Sequence, residues 1–258
     1  PLLPWRRARP AEFSRVVAAP AALGILLAAV LAGGGLRSPG LLLMFALCGF
    51  VAATVGVEFA AGVRVRRARG ESPGAALVAL VAGNRRRYGG YVVHLGILLI
   101  LVGVTASTAF ATQMQVTLAP GEQASVGRYV LRYDRLGQSA QPGLQTTTAT
   151  LSVAASGRPA GTIQPRHVYH VVGDQATAAI GLRSGWRDDL YVVLVGWSTD
   201  RRATFRILVN PLVMWLWTGG AVIALGASIA IFPTRRRETA ASQVLVPREA
   251  GAPAGGLP

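Results

Sequence analysis

The chain alternates between long apolar stretches and shorter polar segments. Four stretches, residues 16–36, 41–63, 90–110 and 210–232, are apolar over nearly their whole length. An α-helix needs about 20 such residues to cross a bilayer. A helix that is apolar on every side has no face suited to water and is buried in lipid or in a large core. The pattern therefore predicts four transmembrane helices.

A long polar segment, residues 111–209, separates the third and fourth stretches. Within it, runs of β-branched and aromatic residues alternate with Gly, Pro and Asp, which is typical of short strands joined by turns. We expect a small antiparallel sandwich or barrel. The predicted strands cover residues 129–136, 146–153, 167–172, 190–197 and 204–209. The predicted fold class is an α+β integral membrane protein, with an all-β domain between its third and fourth membrane helices.

The distribution of charge predicts an orientation in the membrane. Of the 258 residues, 52% are hydrophobic, and the net charge of +15 comes from arginine alone, because the chain contains no lysine. Residues 1–15, 64–89 and 233–258 hold 4, 7 and 4 arginines against 1, 1 and 2 acidic residues. Arginine-rich loops stay in the cytoplasm, so residues 111–209 are expected outside it, in a multi-pass protein of the bacterial inner membrane. The basic charge needs no nucleic acid as a partner.

The segments around the predicted spans carry further expectations. Residues 64–89 form a basic loop in which Ser72 and Pro73 begin a short helix, suited to the membrane interface rather than to crossing it. Residues 1–15 look like a flank that follows an earlier span, so we interpret the chain as the C-terminal part of a longer protein. Residues 233–258, rich in Ala, Gly and Pro, are expected to form a disordered cytoplasmic tail.

His94 is the only histidine within a predicted span, and it follows Gly90 by four residues. A titratable ring in hydrocarbon needs a partner. Three partners fit: a carbonyl or hydroxyl group of a neighbouring helix, a haem iron, or a proton relay. Gly90 leaves a gap beside the ring, which suits a flat cofactor or a neighbouring helix. On a different face, Gly89, Gly96 and Gly103 form a row that predicts the close approach of another helix.

Glu58 is the only acidic residue within a predicted span. We favour an ion pair with the nearby Arg64, and the alternative is a hydrogen bond to the ring of His94 or a proton-carrying role. Cys48 is the only cysteine, so this chain has no disulfide and no thiol pair.

The polar segment offers few candidates for chemistry. His167 and His170 are three residues apart on a predicted strand and point to opposite faces, which disfavours a shared metal site. Trp186 and Trp197 are expected to be core or interface aromatics. The chain contains no phosphate-binding glycine loop, serine-hydrolase elbow, zinc-binding histidine motif or paired-carboxylate arrangement. No catalytic residue is therefore assigned.

Five segments of the chain form a distinctive set. They are PLLPWRR at 1–7, EFAAGVRVRR at 58–67, NRRRYGGYVVHLG at 84–96, DLYVVL at 189–194 and NPLVMWLWTGG at 210–220. Together they resemble segments of the CcmF family, the membrane haem lyase subunits of cytochrome c maturation. The third and fifth segments are specific in combination. The resemblance runs nearly end to end and concerns the C-terminal part of the family's proteins.

The resemblance implies a cofactor site. In the family, the histidine at the position of His94 is one axial ligand of a b-type haem within the membrane. The other ligand lies on a more N-terminal helix that this chain does not contain. His94 is thus the expected ligand of the haem iron, and Gly90 and Tyr91 are expected beside the haem. Glu58 is expected to interact with the ring of His94 without binding the iron itself.

The resemblance also implies a reaction and partners. The family joins haem to the two thiols of a CxxCH motif in apocytochrome c. Its tryptophan-rich WWD segment has no counterpart here, so we expect this part to be inactive alone. The implied partners are the N-terminal part of the same protein, a CcmE-like haem chaperone, apocytochrome c with CcmH-like or CcmI-like thiol-handling subunits, and the lipid bilayer. The alternative is a non-catalytic membrane module that docks other maturation subunits.

Overall fold

The computed structural model describes residues 10–171 and 173–232. Its helices are α1 (Pro10–Gly33), α2 (Pro39–Arg67), α3 (Pro73–Gly83), α4 (Arg85–Ala109) and α5 (Val213–Ile231). Among the described residues, three helices, α2, α4 and α5, are long and apolar enough to cross a membrane. The apolar part of α1, Val17–Gly33, is shorter, so a fourth crossing stays a prediction. The expectations for residues 1–9 and 233–258 lie outside the described residues.

Helices α4 and α5 run antiparallel and touch through glycines. A Cβ atom added to Gly96 would lie 2.7 Å from the carbonyl oxygen of Gly219, and one added to Gly89 would lie 2.7 Å from that of Gly226. Such distances are shorter than van der Waals contact, so the two backbones approach as closely as they do only because both helices carry glycine there. The predicted glycine row of Gly89, Gly96 and Gly103 is confirmed, and its partner is α5.

Helix α2 contacts both α1 and α4. Towards α1, a Cβ atom added to Gly49 would lie 3.3 Å from the Cα atom of Gly24. Towards α4, Phe59 packs against Tyr88 and Tyr91, with ring centroids 5.1 and 6.1 Å away. The contact with α4 is therefore made by large aromatic side chains, whereas α5 meets α4 through glycine.

Helix α3 lies at the end of the bundle where α2 finishes and α4 begins. Its start is as predicted: the Ser72 side chain accepts a hydrogen bond from the backbone N–H of Ala75, and Pro73 is the first helical residue. With 11 residues, α3 is about 16 Å long and cannot cross a bilayer. Helix α4 follows at once and begins at Arg85, earlier than the predicted residue 90, because the Asn84 side chain caps it.

Ten strands form two sheets between α4 and α5. They are β1 (Thr112–Leu118), β2 (Gln123–Val126), β3 (Tyr129–Gln141), β4 (Leu144–Ala155), β5 (Arg158–Ile163), β6 (Arg166–His170), β7 (Gln175–Ala179), β8 (Gly181–Arg183), β9 (Asp188–Trp197) and β10 (Ala203–Pro211). One sheet has the order β1-β10-β9-β8. The other has the order β2-β3-β4-β6-β7, with β5 also paired to β4. Each of the five predicted strands overlaps one of these.

The two sheets share one hydrophobic core, so the domain is a sandwich. Every second residue of β9 and β10 points inward, as the two-residue repeat of a strand requires. The largest fully buried side chains come from both sheets and include Tyr129, Tyr133, Leu151, Leu194 and Phe205. Tyr133 and Phe205 meet edge to face across the core, with ring centroids 5.2 Å apart. An antiparallel sandwich was one of the two architectures expected.

A buried carboxylate ties the two sheets together. Asp188 of β9 accepts hydrogen bonds from the hydroxyl of Tyr129, the first residue of β3, at 2.6 Å and from the guanidinium of the preceding Arg128 at 2.8 Å. Burial raises the pKa of Tyr129, and so does its hydrogen bond to Asp188. This network lies beside Pro211, the partner of Asp188 across the β9–β10 ladder, and so secures the end of the sandwich nearest the membrane helices.

The junction between the sandwich and α5 differs from the prediction. Asn210 and Pro211 were expected to begin the fourth helix, but they end β10, where Pro211 pairs with Asp188. Leu212 then turns the chain with a left-handed φ of 56°, and the helix starts at Val213. The predicted start was wrong because pairing with β9 extends the strand through two residues that are otherwise typical of helix starts.

The glycine contact between α4 and α5 gives a prediction with an adjacent control. A Cβ atom at Gly219 would lie 2.6 Å from the Gly96 carbonyl oxygen, whereas one at Gly220 would meet nothing within 4 Å. Gly219→Ala should therefore lower the free energy of unfolding by about 1–3 kcal/mol, because the helices must separate. Gly220→Ala should leave it unchanged or raise it slightly. Denaturant unfolding of the purified protein in detergent measures both, and equal effects would contradict the contact.

Candidate functional site

His94 lies on a face of α4 that none of the described helices covers. Gly96 faces α5 and Tyr91 faces α2, while the side chain of His94 is exposed. Three apolar residues on the same side of the helix are 37–44% exposed: Ile97, Leu101 and Val104. In a membrane helix, such a face meets lipid, a cofactor or another protein segment. The structure thus places the one intramembrane histidine where an additional group can reach it.

A hydrogen bond to its own helix selects the tautomer of the neutral His94 ring. The Nδ1 atom of His94 lies 2.7 Å from the carbonyl oxygen of Gly90. Because a carbonyl oxygen only accepts, Nδ1 must carry the hydrogen, and a neutral ring then keeps its free electron pair on Nε2. Metal-binding histidines commonly donate their second N–H to a backbone carbonyl in this way. One of the three expected partners of His94 was a group on a neighbouring helix. The observed hydrogen-bond partner is instead the Gly90 carbonyl, one turn earlier on α4.

Of the two residues expected beside a haem, only Gly90 borders open space. A Cβ atom added to Gly90 would meet nothing within 4 Å. Tyr91 is 5% exposed and belongs to the aromatic cluster with Phe59 and Tyr88. The structure therefore groups Gly90 with His94, and it turns Tyr91 towards α2.

Glu58 pairs with Arg87 rather than with Arg64. The Oε2 atom of Glu58 lies 2.5 Å from Nη2 of Arg87, and Nε of Arg87 donates to the hydroxyl of Tyr91 at 3.0 Å. The favoured partner Arg64 was wrong because it is six residues from Glu58 on α2, and side chains with that spacing do not face each other. Arg87 instead reaches Glu58 from α4. Glu58 thus connects to the helix of His94 through Arg87 and Tyr91.

An apolar groove runs beside the His94 face, between α1, α2 and α4. It has a volume of about 420 Å³, and Phe45, Cys48 and Leu98 are among the residues that line it. Leu98 follows His94 by one helical turn. The buried thiol of Cys48 is one wall of this hydrocarbon surface.

Among the described residues, His94 is not grouped with other side chains that commonly bind metal ions. Over residues 10–171 and 173–232, no group of three or more His, Cys, Asp or Glu side chains is placed to hold a metal ion. A haem iron already has four equatorial ligands from the macrocycle and takes one protein ligand on each side. One exposed histidine therefore fits one side of a haem, although it would not hold a bare metal ion.

The histidines and tryptophans of the sandwich form no such site. His167 packs edge-on against Trp197, with ring centroids 5.3 Å apart. Trp197 is 37% exposed and Trp186 is 70% exposed, so neither is a core residue, contrary to one of the two expectations. Trp197 and Arg201 line a polar depression of about 480 Å³ at the edge of the sandwich.

Two family profiles match parts of the chain. Residues 109–211 match the profile described as CcmF C-terminal beta-sandwich, and residues 52–153 match the profile described as ResB-like family. The first match coincides with the two-sheet domain. The second includes α4 and therefore His94.

The curated relatives that the chain matches include several proteins of cytochrome c-type biogenesis. The chain is 30% identical over 152 residues to NrfE of Haemophilus influenzae, a match that covers 59% of the chain and 24% of that protein. It is 29% identical over 247 residues to CycK of Rhizobium meliloti, covering 92% of the chain and 35% of that protein. It is 27% identical to CcmF of Pseudomonas aeruginosa, a match that covers 60% of the chain and 23% of that protein. The chain thus spans about a quarter to a third of the length of these relatives.

A solved structure has the same fold. The cytochrome c haem lyase CcmF superimposes with a TM-score of 0.66 at 24% identity, over 90% of this chain and 37% of that one. The arrangement of membrane helices and sandwich is therefore one already seen in a haem lyase.

The pairing of Glu58 predicts which arginine is coupled to it. In a double-mutant cycle, Glu58→Gln and Arg87→Gln should show a coupling energy on the order of 1 kcal/mol, because each removes the same ion pair. Glu58→Gln combined with Arg64→Gln should be additive. Denaturant unfolding in detergent gives the four free energies of each cycle. Coupling to Arg64 but not to Arg87 would contradict the observed contact.

Proposed function

Since this chain is a CcmF-like protein that corresponds to the C-terminal part of CcmF, we propose that it supports the attachment of haem to apocytochrome c and supplies one axial ligand of a haem within the membrane. The ligand is His94, and the haem is of the b type. The observation that carries this proposal is the His94 ring itself, which is exposed in the membrane with Nδ1 held by a backbone carbonyl.

Two features of α4 support His94 as the ligand. The Gly90 carbonyl accepts a hydrogen bond from Nδ1–H of His94, which fixes the orientation of the ring and leaves Nε2 free to bind iron. The absence of a side chain on Gly90 keeps space open beside the ring, where the edge of a flat macrocycle has room. Bound there, a haem supplies one-electron transfer. In this role His94 supports reduction of the incoming haem and does not itself form the thioether bond.

The chain has only one thiol, which is consistent with a role in haem reduction rather than in supplying the thiols that form the thioether bonds. Attachment of haem to a CxxCH motif requires two reduced thiols, and Cys48 is buried on a membrane-spanning helix. We assign both thiols to the apocytochrome. The sandwich, on the extracytoplasmic side, then offers its surface to the haem chaperone and to the subunits that present the apocytochrome.

Glu58 acts on the ligand indirectly in this proposal. Its carboxylate pairs with Arg87, which also binds the Tyr91 hydroxyl. Tyr91 precedes His94 by three residues on α4, so the ion pair and the aromatic cluster fix that turn of the helix against α2. Glu58 and Tyr91 therefore position the helix that carries the ligand.

Replacement of His94 tests the ligand. In the full-length protein, His94→Ala should abolish or strongly weaken the b-haem absorbance per protein in the reduced-minus-oxidised spectrum, because one axial bond to iron is lost. His167→Ala removes a half-buried histidine of the sandwich and should leave the spectrum unchanged. Protein yield and helix content of both variants separate loss of haem from loss of fold. An undiminished spectrum in folded His94→Ala would favour the non-catalytic docking module instead.

Gly90 provides an independent test of the space beside the ring. Gly90→Leu should reduce the haem content without lowering the free energy of unfolding. A Cβ atom at this position would meet nothing within 4 Å, and the larger side chain would occupy the proposed haem edge. Gly220→Leu places the same side chain at another open glycine of the bundle and is the matched control. If both variants retained full haem content, the proposed position of the macrocycle would be wrong.

A further inference from the structure

A second apolar groove lies between α3 and the end of α5, away from His94. It has a volume of about 550 Å³. Its walls are apolar on both sides. They include Leu77, Val78 and Val81 of α3, Leu225 and Ile229 of α5, and Phe232 directly after α5. Val78 is 70% exposed and Phe232 is 62% exposed. An open apolar surface of this kind requires an apolar occupant.

The groove opens at the membrane face where arginines collect. Helix α3 is too short to cross a bilayer and joins the end of α2 to the start of α4. The close contact of Gly89 with Gly226 brings the end of α5 to the same face. An occupant therefore reaches the membrane interface at one end of the groove and the hydrocarbon at the other.

Among residues 10–171 and 173–232, Arg85 is the only charged residue that lines the groove. Two other arginines of this face have acidic partners: Arg66 pairs with Glu71 at 3.2 Å, and Arg87 pairs with Glu58 at 2.5 Å. Arg85 is half-buried and has no acidic partner among the described residues. It is also the first residue of α4, where the positive end of the helix dipole adds to its charge. No acidic side chain of the described residues therefore balances the charge at the mouth of the groove.

We propose that this groove binds an anionic phospholipid, with an acyl chain between α3 and α5 and the phosphate beside Arg85. This occupant matches both parts of the site, because basic pockets between membrane helices favour anionic headgroups while the walls favour hydrocarbon. An apolar protein helix would fill the groove but leave Arg85 without a counter-charge. The inference concerns a different site from the haem proposal and stands without it.

Native mass spectrometry of the full-length protein tests the site with two lipids of identical acyl chains. Delipidated protein in detergent should bind phosphatidylglycerol more tightly than phosphatidylcholine. Arg85→Gln should weaken phosphatidylglycerol binding about fivefold and leave phosphatidylcholine unchanged, because one charge contact is lost. Ala82→Trp places a large side chain in the groove, which Ala82 lines, and should weaken the binding of both lipids.

Arg86→Gln is the matched control, because Arg86 is the next residue of α4 and does not line the groove. It should change phosphatidylglycerol binding by less than about twofold. Melting temperatures without added lipid confirm that the variants fold. Three results would overturn the proposal: equal affinity of the wild type for both lipids, equal effects of Arg85→Gln and Arg86→Gln, or capture of a polypeptide segment by a photo-crosslinker placed at Val78.

Discussion

The close contact of α4 with α5 organises both halves of this protein. Glycines on both helices let the backbones meet, with Gly96 against Gly219 and Gly89 against Gly226. At the far end of the pair, β1 follows α4 and β10 precedes α5, and these strands pair from Thr112 with Val209 onwards. The helix pair thus continues as a strand pair, and the sandwich is built on that ladder. Larger residues at the contact would separate the helices and the two strands together.

The same contact determines which side of α4 is open. With glycine against α5 and the aromatic cluster against α2, one face is left, and it carries His94 and Gly90. The ring donates to the Gly90 carbonyl, which frees its other nitrogen in a direction that the described helices do not block. A haem ligand in a membrane needs both a fixed ring and an open approach. Here the backbone of α4 fixes the His94 ring, and the packing of α4 leaves the approach to that ring open.

Several features could be predicted from the sequence because they depend on neighbours along the chain. Hydrophobic length marked α2, α4 and α5, the glycine spacing predicted a close helix contact, and Ser72 with Pro73 marked the start of α3. Strands with strong β-branched or aromatic alternation were recognised, whereas the five shorter or more polar strands β1, β2, β5, β7 and β8 were missed. Those strands are held by pairing with a neighbour, and their own residues carry little signal.

Other features depend on which segments meet, and the sequence alone did not determine them. Ion pairing of Glu58 with Arg87 rather than Arg64, and the extension of β10 through Pro211, both follow from contacts between distant segments. The sequence by itself determined a membrane protein with a β domain and one intramembrane histidine, because apolar length and residue type are local. Only the tertiary structure decided that α5 covers the glycine face of α4, so that His94 remains exposed. Helix packing brings together residues that are far apart in the chain, so the local residue pattern does not determine which helix covers which face of α4.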